Sequence, residues 1–160
     1  MIVIRVEVSN RQTSLDVNTC VLRQVVEDVL HCEGVQSAEV SVAIVGDQEI
    51  HQLNLRYLDH DYPTDVLSFV LERNEERLEG EVIVSTETAI ARCSEFGWTA
   101  VEELTLYTIH GTLHLVGYLD KTSEDVAQMR ERETFHLGQR GMKRPASATP
   151  HSCSQGDVKK

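Results

Sequence analysis

Two histidines four residues apart, with an aspartate six residues further on, form the most chemically specific pattern in the chain: His110-Gly-Thr-Leu-His114-Leu-Val-Gly-Tyr-Leu-Asp120. On a helix, positions i and i+4 share a face, so both imidazoles project to one side. Gly117 suits the left-handed turn that ends a helix, and a reversal there brings Asp120 back toward His110 and His114. Three nitrogen or oxygen donors with a fourth position open is the layout of a catalytic zinc site; structural sites use four protein ligands.

The spacing alone is weak, because most His-x-x-x-His pairs are unrelated histidines. The flanking residues strengthen it. Leu104, Leu106, Ile109, Leu113 and Val116 make the segment apolar and buried, and buried imidazoles need partners. The pattern is not that of a His-Glu-x-x-His metalloprotease, whose Glu is the general base. Gly111 holds that position here, so a base must come from elsewhere or from hydroxide on the ion.

The elements that must position these residues follow from periodicity. Ile2, Ile4, Val6 and Val8 alternate as a strand, as do Val40, Val42 and Ile44. Val66 to Leu71 and Glu81 to Ser85 form a hairpin around the charged turn from Glu72 to Gly80. Val21, Leu22, Val25, Val26, Val29 and Leu30 have helical spacing after a cap near Asn18. A short helix follows Gly46-Asp47 and carries Ile50, Leu53, Asn54 and Tyr57 on one face. Another runs from Thr86 to about Phe96, ended by Gly97. Thr99 and Glu102 make a capping box for the histidine helix, and Ser123 opens a last helix with Val126, Met129, Arg130 and Glu133. The expected fold is α+β: a small mixed sheet of about four strands packed with helices, the histidine helix central and buried.

The chain has 160 residues, a net charge of -11 and 41% hydrophobic residues, as expected of one globular domain. No apolar stretch approaches the roughly 20 residues of a membrane helix, and Met1-Ile-Val-Ile-Arg-Val lacks a signal-peptide pattern, so the expected compartment is the cytoplasm. Cys20, Cys32, Cys93 and Cys153 are scattered, with no Cys-x-x-Cys pair; disulfides are not expected. The acidic balance disfavours binding of nucleic acid by phosphate attraction alone, although a metal supplies local positive charge. Asp59-His60-Asp61 reads as a solvated loop in preference to a second metal site, and Trp98 as a packing residue. Residues 1–138 are expected to form the domain. From residue 139 periodicity stops and Pro, Ser, Gly and basic residues dominate, so 139–160 is expected to be a disordered basic tail.

The histidine segment resembles the signature H-G-x-L-H-L-x-G-Y-D-H of the YbeY endoribonuclease family through Tyr118. Pro63-Thr-Asp-Val-Leu-Ser-Phe69 and Gly80-Glu-Val-Ile-Val-Ser85 resemble the family's strand segments, and Asn54 and Tyr57 match the helix before them. The resemblance spans roughly Ile2 to Leu137. It implies a zinc-dependent endoribonuclease acting on single-stranded RNA in rRNA maturation and ribosome quality control. Its partners would be rRNA and the ribosome or ribosomal proteins, with no membrane association. One Zn2+ per chain, or another divalent metal, would be held by His110, His114 and Asp120, which would act catalytically through water on the ion. Two of the departures from the pattern matter for the chemistry. The family's third histidine is Asp120 here, a competent oxygen ligand that makes the site harder and more anionic. The Arg that follows the aromatic in the family, thought to act on RNA phosphate, is Leu58. On a helix Arg56 points about 200° away from that position. Two other functions remain open: a ribosome-associated binding factor with a structural metal and little turnover, and a hydrolase of small phosphodiesters.

Overall fold

The computed structural model describes residues 2–143 and 154–157. Five strands and five helices follow in the order β1 (Val3–Asn10), α1 (Thr19–Cys32), β2 (Ser37–Val45), α2 (Asp47–Leu58), β3 (Val66–Arg73), β4 (Leu78–Ser85), α3 (Thr86–Phe96), α4 (Ala100–Val116), α5 (Ser123–Gln139) and β5 (Ser154–Asp157). Among the described residues they form one mixed sheet in the order β1-β2-β4-β3-β5. The β1–β2 and β2–β4 pairs are parallel, and β3–β4 is an antiparallel hairpin.

Side chains alternate across a strand, and the sheet uses both faces. Val40, Val42 and Ile44 of β2, Val82 and Val84 of β4 and Val66 of β3 pack against Leu22, Val26 and Leu30 of α1 and Leu104, Tyr107 and Leu115 of α4. Leu67, Phe69, Ile83 and Val45 point the other way, onto Ile50, Leu53 and Leu58 of α2. A further layer closes over α4: Ile109 and Leu113 meet Met129 and Leu137 of α5 and Val25 and Val29 of α1. As a result α4 is buried without a break from Glu103 to Leu115, as expected of a helix that is apolar around its circumference. The hydroxyls of Thr105, Thr108 and Thr112 donate to carbonyls four residues back, so they need no partner outside the helix.

The sheet has five strands where apolar alternation marks four. Strand β5 pairs parallel to β3, from Leu67↔Ser154 to Val70↔Asp157. Its sequence, Ser-Gln-Gly-Asp, has no apolar pattern to read, and a free strand edge pairs through backbone groups alone. Within the segment 139–160, Gln139 completes α5 and 154–157 form β5. Residues 144–153 and 158–160 lie outside the described residues.

A buried carboxylate fastens α5 to α1. Glu33, the residue after α1, accepts from Arg132 Nε and Nη2 at 3.0 and 2.6 Å, from His136 Nε2 at 2.7 Å and, on its other oxygen, from Tyr118 Oη at 2.7 Å. Burial works to raise the Glu33 pKa, but the hydrogen bonds from Tyr118, Arg132 and His136 and the charge of Arg132 outweigh it and hold the carboxyl below its usual range.

Two predictions follow from this packing. A Cβ at Gly111 would lie 2.7 Å from Val82 Cγ1, 2.9 Å from Val66 Cγ2 and 3.0 Å from Ser68 Oγ. Gly111→Ala should therefore lift α4 off the sheet and cost about 1–3 kcal/mol in denaturant unfolding; an unchanged midpoint would refute this contact as a packing limit. A carboxyl with a depressed folded pKa contributes stability above its unfolded value of about 4.3 and loses it as pH falls through the folded value. Unfolding free energy should thus fall on acidification below about pH 4.3, and Glu33→Gln should flatten that acid limb. Equal acid slopes in the two proteins would show that Glu33 does not supply this stability.

Candidate metal centre

The capping box expected at the start of α4 is present, with Thr99 and Glu102 exchanging hydrogen bonds. At the other end Gly117 adopts φ 113°, a conformation that side chains other than glycine rarely reach. Gly117 N–H then bonds to His114 O and Tyr118 N–H to Leu113 O, both at 3.1 Å, and the chain reverses. This reversal brings Asp120 back to the histidines, as the sequence implies.

The three ligand candidates converge. His110 Nε2 and His114 Nε2 are 3.0 Å apart, and Asp120 Oδ2 lies 3.7 Å from the first and 3.3 Å from the second. His110 and His114 are buried and Asp120 half-buried. Among the described residues this is the group of three His, Cys, Asp or Glu side chains placed to share an ion.

The other nitrogen of each ring defines its tautomer. His114 Nδ1 lies 2.9 Å from the carbonyl oxygen of Tyr118, which can only accept, so Nδ1 carries the proton. His110 Nδ1 lies 2.6 Å from Glu133 Oε2, and a carboxylate there makes it a donor too. With both rings neutral, each Nε2 would present a lone pair toward the other and toward a carboxylate oxygen. Such an arrangement is repulsive unless a cation lies among the three atoms. Ligands at about 2.0–2.2 Å from a tetrahedral zinc are about 3.3–3.5 Å apart, which the observed spacings bracket. The residues therefore fit a divalent metal, with each histidine oriented by a second hydrogen bond in the usual manner of metal-ligating imidazoles. Burial works to raise the Asp120 pKa, but hydrogen bonds and charge from His110 and His114, when these are protonated in place of an ion, outweigh it. The carboxyl stays ionised well below the usual range.

Glu133 is the residue against the candidate site that the sequence pattern conceals. It appears as one more position on α5, yet its spacing from Met129 and Leu137 is that of a core face, and it is 2% exposed. An acidic residue at a core-spaced position is the signal that marks it. His136, in the last turn of α5, has its imidazole turned onto Glu33. Gly111 has a packing role as well: Ser68 Oγ donates to its carbonyl at 2.8 Å, and the absence of a side chain lets α4 touch the sheet.

The remaining candidates lie elsewhere. Leu58 is half-buried against the α2 face of the sheet, opposite α4. The guanidinium of Arg56 sits 5.4 Å from the Tyr57 ring centroid. In the loop after α2, His60 stacks on Tyr62 and Asp61 pairs with His51. Trp98 donates to Glu103 at 3.2 Å and packs beside α4. A groove of about 510 Å³ between α2 and the open sheet face is lined by residues such as Glu7, Tyr57, Phe69 and Glu81; the metal-ligand candidates are not among its lining residues.

The family model described as Endoribonuclease YbeY matches residues 7–141. A protein of that name from Rhodopirellula baltica is 42% identical over 127 residues, covering 78% of this chain and 66% of its own length. The Salinibacter ruber protein of the same name is 38% identical over 140 residues, with 82% and 88% covered. The one from Carboxydothermus hydrogenoformans is 36% identical over 142 residues, with 86% and 99% covered. A solution structure from Thermotoga maritima has the same fold, with a TM-score of 0.58 at 26% identity, covering 86% of this chain and 91% of that one. With sequence motifs, fold and these matches in agreement, the chain belongs to the YbeY endoribonuclease family.

Proposed function

We propose that this chain is an endoribonuclease that cuts phosphodiester bonds of single-stranded RNA with a divalent metal, zinc by preference, held by His110, His114 and Asp120. Its substrate would be ribosomal RNA, cut during ribosome maturation and quality control in the cytoplasm. Residues 1–138 would carry the activity, with 139–160 as an appended basic segment. The observation that carries the reading is the convergence of two imidazole Nε2 atoms and one carboxylate oxygen, each ring fixed through its Nδ1. Family membership supports RNA as the substrate. Among the described residues no helix is long and apolar enough to cross a membrane.

Held by His110, His114 and Asp120, a divalent ion would supply Lewis acidity toward a phosphoryl oxygen and would acidify water enough to provide a nucleophile near neutral pH. The protein's part is orientation. Glu133 and the Tyr118 carbonyl hold the rings so that Nε2 faces inward. Asp120 adds a negative charge that offsets part of the ion's own. Gly111 offers no general base beside His110, so the base would be another group or hydroxide supplied with the ion.

One observation favours a second reading, a ribosome-associated binding factor whose metal fastens the turn after α4. The family's phosphate-binding Arg position is occupied by Leu58, a packing residue. Turnover on a single-stranded RNA and on a small phosphodiester, with chelator and after adding back metal, separates the enzyme from this factor and from a small-ester hydrolase.

His114→Ala should remove most bound metal and lower the melting temperature; stoichiometric metal in a variant of unchanged stability would place the ion elsewhere. Asp120→His, which restores the family's third histidine, should retain zinc, and a folded variant without zinc would count against Asp120 as a ligand. Leu58→Arg should speed cleavage of single-stranded RNA about tenfold, equivalent to roughly 1.4 kcal/mol of transition-state stabilisation. A folded, metal-loaded Leu58→Arg protein that is no faster would show either that position 58, on the sheet face opposite α4, does not reach the phosphate or that another cation already serves it.

A further inference from the structure

The Glu33 cluster lies outside the three ligand candidates but is connected to one of them. Tyr118 has two separate roles. Its carbonyl oxygen accepts from His114 Nδ1 at 2.9 Å, and its side-chain hydroxyl donates to Glu33 Oε1 at 2.7 Å. The peptide that orients His114 is therefore attached, through one side chain, to a carboxylate on a different element. That carboxylate is itself held in place. Its side chain is 6% exposed, and its second oxygen takes Arg132 and His136, one turn apart on α5. Arg132 precedes Glu133, the residue that holds His110. Both imidazoles are thus referred to the same short stretch of α5: His110 directly, His114 through Tyr118 and Glu33.

We infer that Glu33 is a positioning residue for the metal centre, acting through the Tyr118 hydroxyl to set the carbonyl that orients His114. The inference rests on the metal reading proposed above.

The physical argument is one of stiffness. The segment from Gly117 to Asp120 is a turn at the end of a helix, and Tyr118 and Asp120 are half-exposed. Backbone bonds from Gly117 and Tyr118 to α4 set the start of that turn but leave its far side free to rock. The Tyr118–Glu33 bond closes the far side against α1, and the bonds from Arg132 and His136 prevent Glu33 from following the turn outward. Hydrogen bonds to charged groups are stronger than neutral ones. Partners that orient ligands typically change metal affinity by about 10- to 100-fold when removed, and a partner one bond further out should sit at the lower end.

The test measures metal affinity on the full chain for wild type, Tyr118→Phe, Glu33→Gln and the double variant. Zn2+ affinity is read by competition with a chromophoric chelator, and the Co2+ absorption spectrum reports ligand geometry. Tyr118→Phe keeps the ring and removes only the hydroxyl, so it remains informative even if Glu33→Gln fails to fold. Each single variant should bind Zn2+ about tenfold more weakly and shift the Co2+ spectrum, and the double variant should be little worse than either, because both break one bond. Wild-type Zn2+ affinity and an unaltered Co2+ spectrum in Tyr118→Phe would overturn the positioning role, even if that variant melted lower. Additive losses in the double variant would also overturn it, because the two residues would then act separately. A wild-type protein that binds neither ion would overturn the metal reading itself, and the inference with it.

Discussion

A helix buried on every side must find partners inside the protein for each polar group it carries, and α4 carries two imidazoles on one face. Its backbone is self-satisfied and its threonines bond back to their own helix, but a histidine ring has two nitrogens pointing in different directions. The protein commits the two Nδ1 atoms to Glu133 and to the Tyr118 carbonyl. The two Nε2 atoms are left facing each other and Asp120. Leaving buried lone pairs without a proton or a metal would be costly. The same burial that holds the sheet and helices together thereby creates the demand for a cation.

Close approach makes that burial possible. Gly111 lies next to the ligand candidate His110 and against Val66, Ser68 and Val82, so the contact that seats the helix also fixes the depth of His110. The sheet, α1 and α5 then enclose what remains of α4. Site and core are one construction, and a change in the packing of β3 or β4 against Gly111 would be transmitted to the ligand set.

Much of this was legible in the chain. The four-residue spacing of His110 and His114, the helix-ending Gly117 and the apolar positions around them reveal a buried helix and a turn, and they point to Asp120. The strands β1 to β4 announce themselves through alternation, and the Thr99–Glu102 box through its spacing. Three features are not readable in this way. Glu133 and Glu33 matter because of what α5 and α1 bring near them, and pairings between distant elements leave no local pattern. Strand β5 joins the sheet through backbone groups, which every residue except proline carries alike. The role of Leu58 as a packing residue depends on which face of the sheet α2 covers, and periodicity alone does not assign that face.

The group that orients His110, and those that brace Glu33 behind the Tyr118 turn, come from the last helix, whereas the ligand candidates precede it in the chain. Arg132, Glu133 and His136 follow Asp120 by more than a full helical turn of α5. On a ribosome, His110, His114 and Asp120 are therefore synthesised before Glu133 exists to direct the His110 ring. A nascent chain could offer ligands to an ion but could not hold them in register until α5 had been made and had docked. The site is thus completed late in the order of synthesis, and the docking of α5 is the event that turns three correctly spaced residues into an organised centre.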